Sequence, residues 1–350
     1  MKFASAVLAT AALTLTACSQ PDSATSDTIQ SEQRVVNVFS ARHYRSDEHV
    51  YAAFTAATGI DVNLIGANGD QLIERVRADG ERSPADVIIT VDAARLHRAE
   101  EAGLFARTDF SQLAAGVSDH LIDPDGYWVG FTMRARVIAY SADRVAEGDI
   151  TTYEQLADPR WAGRVCIRES GNAYNQSLMA TMVAKSGEEA AEAWAAGIVA
   201  NMARPPQGGD RDQLRGIAAG ICDVAVVNHY YYAMLANSGQ EADQDAAAAS
   251  VLLFPNQDDS GAHVNISGVG IAANAPHSAE ARELVAFLLS ADAQRLFAEM
   301  THEVPVIDGV EWDNAVLEAM LPFREDQRNV SELGDQNATA QRIFDRVGWQ

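Results

Sequence analysis

The chain has 350 residues, of which 47% are hydrophobic, and its formal net charge is −23. That length suits two domains of ordinary size, and no internal apolar run is long enough to span a membrane. The negative charge argues against binding to nucleic acid or to an anionic lipid surface, because both need a basic face. We therefore expect a globular protein. The charge is only weak support for a cationic ligand, because salt screens it within about 10 Å.

The first 17 residues predict a signal peptide. A short positive end, Met1-Lys2, precedes an apolar stretch from Phe3 to Thr16, and Leu15-Thr16-Ala17-Cys18 then resembles the bacterial lipoprotein signal. We expect cleavage before Cys18, whose thiol would receive a lipid; a plain secretory leader cut nearby is the alternative. Residues 18–33 are polar and predict a flexible tether. Either leader places the mature chain outside the cytoplasm, with a lipid anchor in the periplasm in the first case.

Strands and helices alternate through the first third of the mature chain. Apolar runs predict strands over 35–39, 61–65 and 85–90, and helical spacing predicts helices over 47–58, 69–79 and 93–102. This alternation predicts an α/β fold with a mostly parallel sheet and helices on both faces.

The middle of the chain breaks this alternation. Trp128–Thr132 and Arg136–Tyr140 predict two extended segments, and a second α/β series begins with a strand over 164–167. A further extended run, 263–271, precedes a helical pattern over 279–300. We expect two lobes joined by crossings near 133–137 and 261–266. In that division, residues 34–135 and 264–350 form one lobe and residues 136–263 form the other.

Two cysteines besides Cys18 lie in apolar, strand-like runs. In an oxidising compartment Cys166 and Cys222 would pair if their strands are neighbours. Two buried free thiols are the alternative, and both remain open at this stage. Neither cysteine has the clustered spacing of a zinc or iron–sulfur site.

Polar aromatic residues follow the predicted strands at three places. They are Ser40–Tyr44 after the first strand, Glu169–Gln176 after the strand at 164–167, and Asn228–Met234 after an apolar strand over 222–227. Ligands of open α/β sheets lie beyond the carboxyl ends of the strands. The first cluster lies in one predicted lobe and the other two lie in its partner, so all three meet only across a cleft.

Several tyrosines and a histidine in a cleft have two physical uses. The rings can stack on a sugar or another small organic solute, or phenolate oxygens can bind a hard cation such as Fe(III). Phenols lose their protons near about pH 10. At neutral pH, therefore, only a strongly polarising ion can displace the phenolic protons. Packing is the third interpretation of a tyrosine run. A hydrolase that uses Asp92 or Glu169 is a further alternative, but no paired-carboxylate, serine-triad or phosphate-loop pattern supports catalysis.

The chain resembles a known family over residues 34 to 350. Its landmarks are "SARHY" at 40–44, "RARVIAY" at 134–140, "LADPRWAGRVCIR" at 156–168, "YNQSL" at 174–178 and "CDVAVVNHYYYA" at 222–233. With these segments in order, the sequence is similar to the periplasmic ferric-iron-binding proteins of bacterial iron ABC transporters, especially the tyrosine-rich branch that includes the cyanobacterial iron-binding proteins.

The resemblance implies a two-lobed, hinge-bending binding protein of the type II solute-binding fold, without catalytic activity. Such a protein closes on Fe(III) and delivers it to an inner-membrane permease, normally as a monomer. The metal ligands that the resemblance implies are His43, Tyr44, Tyr174, Tyr230 and Tyr231. Tyr232 is left as a packing residue or a wall of the cleft, and nothing indicates that His229 is a ligand.

Charge balance adds three arginines to the expectation. Four phenolates and one neutral imidazole around Fe(III) leave one excess negative charge. Arg134 matches an arginine behind the ligands of similar proteins, and Arg42 and Arg204 are weaker candidates for the same role. Met234 stands where relatives tend to have an arginine, so the capacity to bind Fe(II) as well stays open.

Overall fold

The computed structural model describes residues 33–42, 44 and 46–350, and it arranges the strands of that part in one mixed sheet. The predicted signal peptide over 1–17, Cys18, the tether up to residue 32, and His43 lie outside the described residues. The strands are β1 Val35–Ser40, β2 Asp61–Gly66, β3 Val87–Thr90, β4 Val129–Ser141, β5 Val165–Cys166, β6 Val224–Asn228, β7 Ser250–Leu253 and β8 Val264–Ile271.

Helices separate most of the strands along the chain. They are α1 Asp47–Thr58, α2 Gly69–Asp79, α3 Ala93–Glu101, α4 Phe110–Leu113, α5 Ala173–Ser186, α6 Glu188–Asn201, α7 Asp210–Ala218, α8 His229–Ala236, α9 Glu241–Ala248, α10 Ser278–Leu288, α11 Ala291–Met300, α12 Ala315–Glu318 and α13 Glu332–Val347. Within the described residues, no helix is both long enough and apolar enough to cross a membrane.

The first three helices begin and end close to the predicted positions, and the terminating glycine explains one of the ends. Gly59 follows α1 with a φ of 71°, a left-handed conformation that other residues rarely adopt. The pattern over 279–300 forms two helices instead of one. Ser290 separates them because its hydroxyl accepts a hydrogen bond from the backbone N–H of Ala293 and thereby caps α11.

The strand order is β2-β1-β3-β8-β4-β6-β5, with β7 paired to β4. β1 is parallel to β2 and β3, and β5 is parallel to β6. However, β8 is antiparallel to β3 and to β4, and β4 is antiparallel to β6 and β7. The prediction of a mostly parallel sheet is therefore wrong. β4 and β8 are the longest of these strands and lie side by side in the middle of the sheet, each antiparallel to the strands next to it.

β4 is one strand of 13 residues where the sequence predicts two extended segments. Its first half pairs with β8, where Arg134 lies opposite Asn265, and its second half pairs with β6, where Arg136 lies opposite Asn228. A register shift after Gly130 is its only break within that pairing. β4 therefore connects the two halves of the sheet directly.

The C-terminal helix α13 contacts elements from both halves of the sheet. Arg346, in its last turn, forms ion pairs with Glu188 and Glu192 of α6, and its Gly334 lies close to His97 of α3. Residues Arg34–Gln350 accordingly group into one compact unit. The division into lobes at residues 135 and 263 stays a prediction, in which α13 would bridge the two lobes.

Cys166 and Cys222 form a disulfide, with their Cα atoms 5.8 Å apart. Cys166 ends β5 and Cys222 lies just before β6, which are neighbouring parallel strands. Both cysteines are buried. The bond joins the two neighbouring strand segments that lead into the second and third aromatic clusters.

Candidate metal centre

Four of the five predicted ligands lie in the described residues, and three different elements supply them. Tyr44 lies between β1 and α1, Tyr174 is the second residue of α5, and Tyr230 and Tyr231 lie in the first turn of α8. α5 begins there because Asn172 caps it, accepting hydrogen bonds from the backbone N–H groups of residues 174 and 175. Helix starts at strand ends thus place these phenols at one edge of the sheet.

The hydroxyl groups of these tyrosines converge. Tyr44 Oη lies 2.9 Å from Tyr230 Oη, and Tyr230 Oη lies 3.3 Å from Tyr174 Oη. The ring of Tyr231 packs on that of Tyr230, with centroids 4.2 Å apart. We call Tyr44, Tyr174, Tyr230 and Tyr231 the tyrosine cluster. His43 lies outside the described residues, so its role as a ligand is still a prediction.

Burial keeps the phenols protonated in the absence of a metal. Loss of solvent and the neighbouring phenols raise the pKa values of Tyr44, Tyr230 and Tyr231 above their ordinary value. The hydroxyl groups therefore carry protons at neutral pH and bond to one another. Only a cation that polarises oxygen strongly can replace those protons.

Arg134 faces the tyrosine cluster from the middle of β4. Its side chain is 2% exposed, and its guanidinium carbon lies 5.4 Å from the centroid of the Tyr174 ring. Nη1 donates to Ser267 Oγ at 3.2 Å, whereas Nε and Nη2 have no hydrogen-bond partner among the described residues. Burial opposes the charged form, yet Tyr174, Tyr230 and Glu303 together raise the pKa of Arg134. A permanent positive charge thus lies beside the predicted ligands.

Arg42 anchors the segment that carries Tyr44. It donates to Asp47 Oδ1 and to Glu303 Oε2, both at 2.9 Å, and all three side chains are buried. Its guanidinium carbon also lies 5.0 Å from the centroid of the Tyr44 ring. Arg42 therefore fixes the turn between β1 and α1 rather than pointing freely into the cleft.

Glu303 is a residue that sequence reasoning missed. It accepts from Thr132 Oγ1 at 2.8 Å and lies 3.9 Å from Arg134 Nη1, in addition to its pair with Arg42. Burial opposes its ionisation, but Arg42 and Arg134 hold the pKa of Glu303 below its usual range. We call Arg42, Asp47, Arg134 and Glu303 the ionic cluster. No motif marks Glu303, since it meets Arg42 across 261 residues of sequence.

Two further arginines near Tyr174 were also missed. The guanidinium carbons of Arg136 and Arg168 lie 5.9 Å and 5.7 Å from its ring centroid, and both side chains pair with the buried carboxylate of Asp210. Arg204, which we predicted instead, contacts α7: Nη2 donates to Asp212 O at 3.3 Å, close to the disulfide sulfurs. The strand pairing, which the sequence does not show, decides which arginine faces Tyr174.

His229 is engaged by the backbone on both sides. Its Nδ1 accepts from Ala135 N at 3.1 Å, and its Nε2 lies 3.0 Å from His302 O, to which it donates. Complete burial lowers the pKa of His229 to about 4, so the ring is neutral. Both nitrogens are occupied, in agreement with the expectation that this histidine is not a ligand. Tyr232 packs partly exposed against the core.

A cavity of about 660 Å³ borders Tyr174 and Tyr231. Arg95, Arg168 and Glu169 line it, together with the starts of α2 and α5. Asp92, the other acid of the hydrolase alternative, is buried and accepts hydrogen bonds from three groups, so it is not available as a nucleophile. Within the described residues, no group of three or more His, Cys, Asp or Glu side chains is placed to hold a metal.

The chain shows sequence and structural similarity to transport proteins. Residues 82–326 match the family of bacterial extracellular solute-binding proteins. The chain belongs to this family. The α/β fold of a two-lobed, type II periplasmic binding protein, predicted from the sequence, is thereby confirmed. Extracellular solute-binding proteins of ABC transporters work with a membrane permease.

Individual relatives extend the similarity over nearly the whole chain. Iron uptake protein A1 of Synechocystis sp. is 44% identical, over 96% of this chain and 93% of that protein. Iron uptake protein A2 of the same organism is 46% identical, over 91% of each chain. A Trichodesmium protein (IdiA, FutA), solved in complex with iron and citrate ligands, is 45% identical with a TM-score of 0.86, covering 90% of this chain and 100% of that chain.

Proposed function

We propose that this protein captures Fe(III) in the cleft at the tyrosine cluster and delivers it to the permease of an iron ABC transporter. The convergence of the Tyr44, Tyr174 and Tyr230 hydroxyls, with neighbouring oxygens within 3.3 Å of each other, carries the proposal. The phenolate form of these groups is a hard anionic ligand, which suits ferric iron better than zinc or calcium. The names of the relatives, iron uptake proteins A1 and A2, support the same cargo.

The binding mechanism follows from where the ligands lie. Tyr44 extends from the predicted lobe 34–135 and 264–350, and His43 directly precedes it in the sequence. Tyr174, Tyr230 and Tyr231 extend from the predicted lobe 136–263. Iron that binds both sets bridges the lobes and stabilises their closed arrangement. The charge of Arg134 offsets the excess negative charge that four phenolates and a neutral imidazole leave on Fe(III).

The cavity beside the cluster supports a carboxylate co-ligand. It borders Tyr174 and Tyr231, and Arg168 supplies a positive charge at its wall. Citrate accompanies iron in the Trichodesmium protein. We expect Fe(III) to bind more tightly with citrate present than without it, in titrations against a competing chelator. Equal affinities with and without citrate would contradict the proposal of a co-ligand, but not the proposal that the tyrosine cluster binds iron.

Tethering and transport complete the proposal. The sequence ending in Ala17-Cys18 supports lipid attachment at Cys18, which would hold a monomeric carrier close to its permease in the periplasm. Mass spectrometry of the protein purified from membranes would detect the lipid on Cys18. An unlipidated amino terminus at another residue would indicate the plain secretory leader.

Replacement of Tyr230 and Tyr231 by phenylalanine tests the proposal. Purified wild-type protein is expected to develop a broad visible absorption band on addition of chelated Fe(III), because phenolate transfers charge to iron. The double variant should lose both the band and the binding, while its circular dichroism stays unchanged.

Tyr232→Phe is the matched control, because it removes the neighbouring phenol that packs against the core. It should bind iron as the wild type does. If the wild type takes up no iron and instead releases heat with a sugar or another organic solute, the rings serve as stacking platforms and the iron proposal fails.

A further inference from the structure

Asp92 connects three elements at the point where the two halves of the sheet meet. It follows β3 and caps α3, where Oδ1 accepts from Arg95 N at 3.2 Å. Its other oxygen, Oδ2, accepts from Ser177 Oγ at 2.5 Å and from Asn265 Nδ2 at 2.8 Å. Asp92, Ser177 and Asn265 are all at most 4% exposed. A buried carboxylate with a complete set of donors is thus shared between α3, α5 and β8.

The two donors are placed next to the metal centre. Ser177 lies three residues after Tyr174 in α5, on the same side of the helix. Asn265 lies opposite Arg134 in the ladder of β4 and β8, and its Oδ1 also accepts from Ala93 N at 3.1 Å. A substitution at Asp92 therefore changes hydrogen bonds to α5, which carries Tyr174, and to β8, which pairs with β4 at Arg134.

We propose that Asp92, Ser177 and Asn265 form a polar lock that holds the two predicted lobes in the closed arrangement. This inference rests on the proposed function, since closure matters through the iron it retains. α3 belongs to the predicted lobe 34–135 and 264–350, whereas α5 belongs to the lobe 136–263. The hydrogen bond from Ser177 to Asp92 therefore passes from one lobe to the other. Asp92 is a positioning residue, because among the described residues its carboxylate accepts from Arg95, Ser177 and Asn265 and not from the tyrosine cluster.

The buried carboxylate of Asp92 makes the closed arrangement sensitive to the loss of a donor. A hydrogen bond to a charged, buried acceptor contributes more than one between neutral groups, and an acceptor left with a missing donor is costly. Without the Ser177 hydroxyl, the closed arrangement would bury Asp92 Oδ2 with Asn265 as its remaining donor. An open arrangement lets water supply the second donor. Loss of the hydroxyl therefore favours the open state and faster iron release.

Ser177→Ala is the test, with Ser186→Ala as the matched control near the exposed end of the same helix. Both proteins are loaded with Fe(III), and iron release to an excess of competing chelator is followed at the visible band. We expect Ser177→Ala to release iron about tenfold faster than the control, as suits the loss of one hydrogen bond to a buried charge. The position of the band should not change, because the ligands are intact. The thermal midpoint of the metal-free variant should match that of the control.

Asp92→Asn provides a second variant, since it removes the charge and one acceptor. Faster release in this variant, with no further acceleration when Ser177→Ala is added, would support a shared contact. The lock is overturned if Ser177→Ala releases iron at the wild-type rate, or if only the stability of its metal-free form falls. Failure of the wild type to bind iron would instead contradict the proposed function, so the two failures are distinguishable.

Discussion

The tyrosine cluster and the neighbouring ionic cluster differ in the groups that interact. In the tyrosine cluster, neutral hydroxyls hydrogen-bond to one another, whereas in the ionic cluster charged arginines form ion pairs with charged carboxylates. Tyr44, Tyr174 and Tyr230 share hydrogen bonds of 2.9 and 3.3 Å. Arg42 and Glu303 form a buried ion pair at 2.9 Å. The first cluster changes its charge when its protons leave, and the second does not.

This difference separates binding from stability. Paired charges in a buried site destabilise the protein strongly when one partner is removed, because the other stays behind without compensation. A phenol that loses its neighbour remains neutral and loses little. Substitutions at Arg42, Asp47 or Glu303 should therefore act on folding, and substitutions in the tyrosine cluster should act on iron. Arg134 belongs to the ionic cluster but also faces the phenols, so its loss should act on iron binding as well.

Glu303→Gln should have the largest effect. It removes the carboxylate that Arg42 and Arg134 share, so Arg42 keeps its ion pair with Asp47 while Arg134 loses its ion pair with Glu303. We expect the free energy of unfolding to fall by about 3–5 kcal/mol in urea titrations. The visible band of the iron-loaded variant should keep its position. A variant as stable as the wild type would show that the ionic cluster is not what holds this region together.

Tyr44→Phe should have the opposite profile. The phenylalanine ring keeps its packing but supplies no ligand. Replacing a residue that only hydrogen-bonds to a metal ligand typically lowers metal affinity about 10–100-fold, so loss of a ligand itself should cost more. We expect Fe(III) affinity to fall by more than about 100-fold and the free energy of unfolding to change by about 1 kcal/mol at most. Chelator competition and urea titration measure the two quantities. A large loss of stability with little loss of affinity would reverse the assignment of the two clusters.

The sequence predicts local elements better than it predicts their partners. The alternation of strands and helices up to residue 102 follows from periodicity and from glycine at the helix ends, and the structure matches it closely. The pairing of β4 with β8 is different, because it joins residues 129 to 140 positions apart through a register that no local pattern encodes. That pairing is why the sheet is mixed and why two predicted segments form a single strand.

The same reason explains the outcome at the site. Tyrosines after strand ends are visible in the sequence, and the structure brings Tyr44, Tyr174, Tyr230 and Tyr231 together. Which charges surround them depends on non-local pairing. Arg134, expected from the family resemblance, lies near Tyr174, whereas Glu303 has no motif and Arg168, rather than Arg204, lies beside Tyr174.

Arg134→Met should have the smallest of these effects, and it separates Arg134 from Arg204, another of the three predicted arginines. Methionine keeps most of the buried volume but removes the charge 5.4 Å from the Tyr174 ring. We expect Fe(III) affinity to fall about tenfold, because the phenolates lose a nearby opposite charge in a poorly solvated site. Arg204→Met is the control and should leave the affinity unchanged. Equal effects of the two substitutions would mean that Arg134 has no special electrostatic role.

The most direct test of the account is the number of protons released when iron binds. The raised pKa values of Tyr44, Tyr230 and Tyr231 keep these phenols protonated well above neutral pH, so each one must lose a proton to become a ligand. Affinity should consequently rise with pH, by about tenfold per unit for each proton released. Calorimetry in buffers of different ionisation enthalpy, corrected for the iron chelate, should give about three protons per iron or more. Iron binding without proton release would contradict the claim that neutral phenols become the ligands.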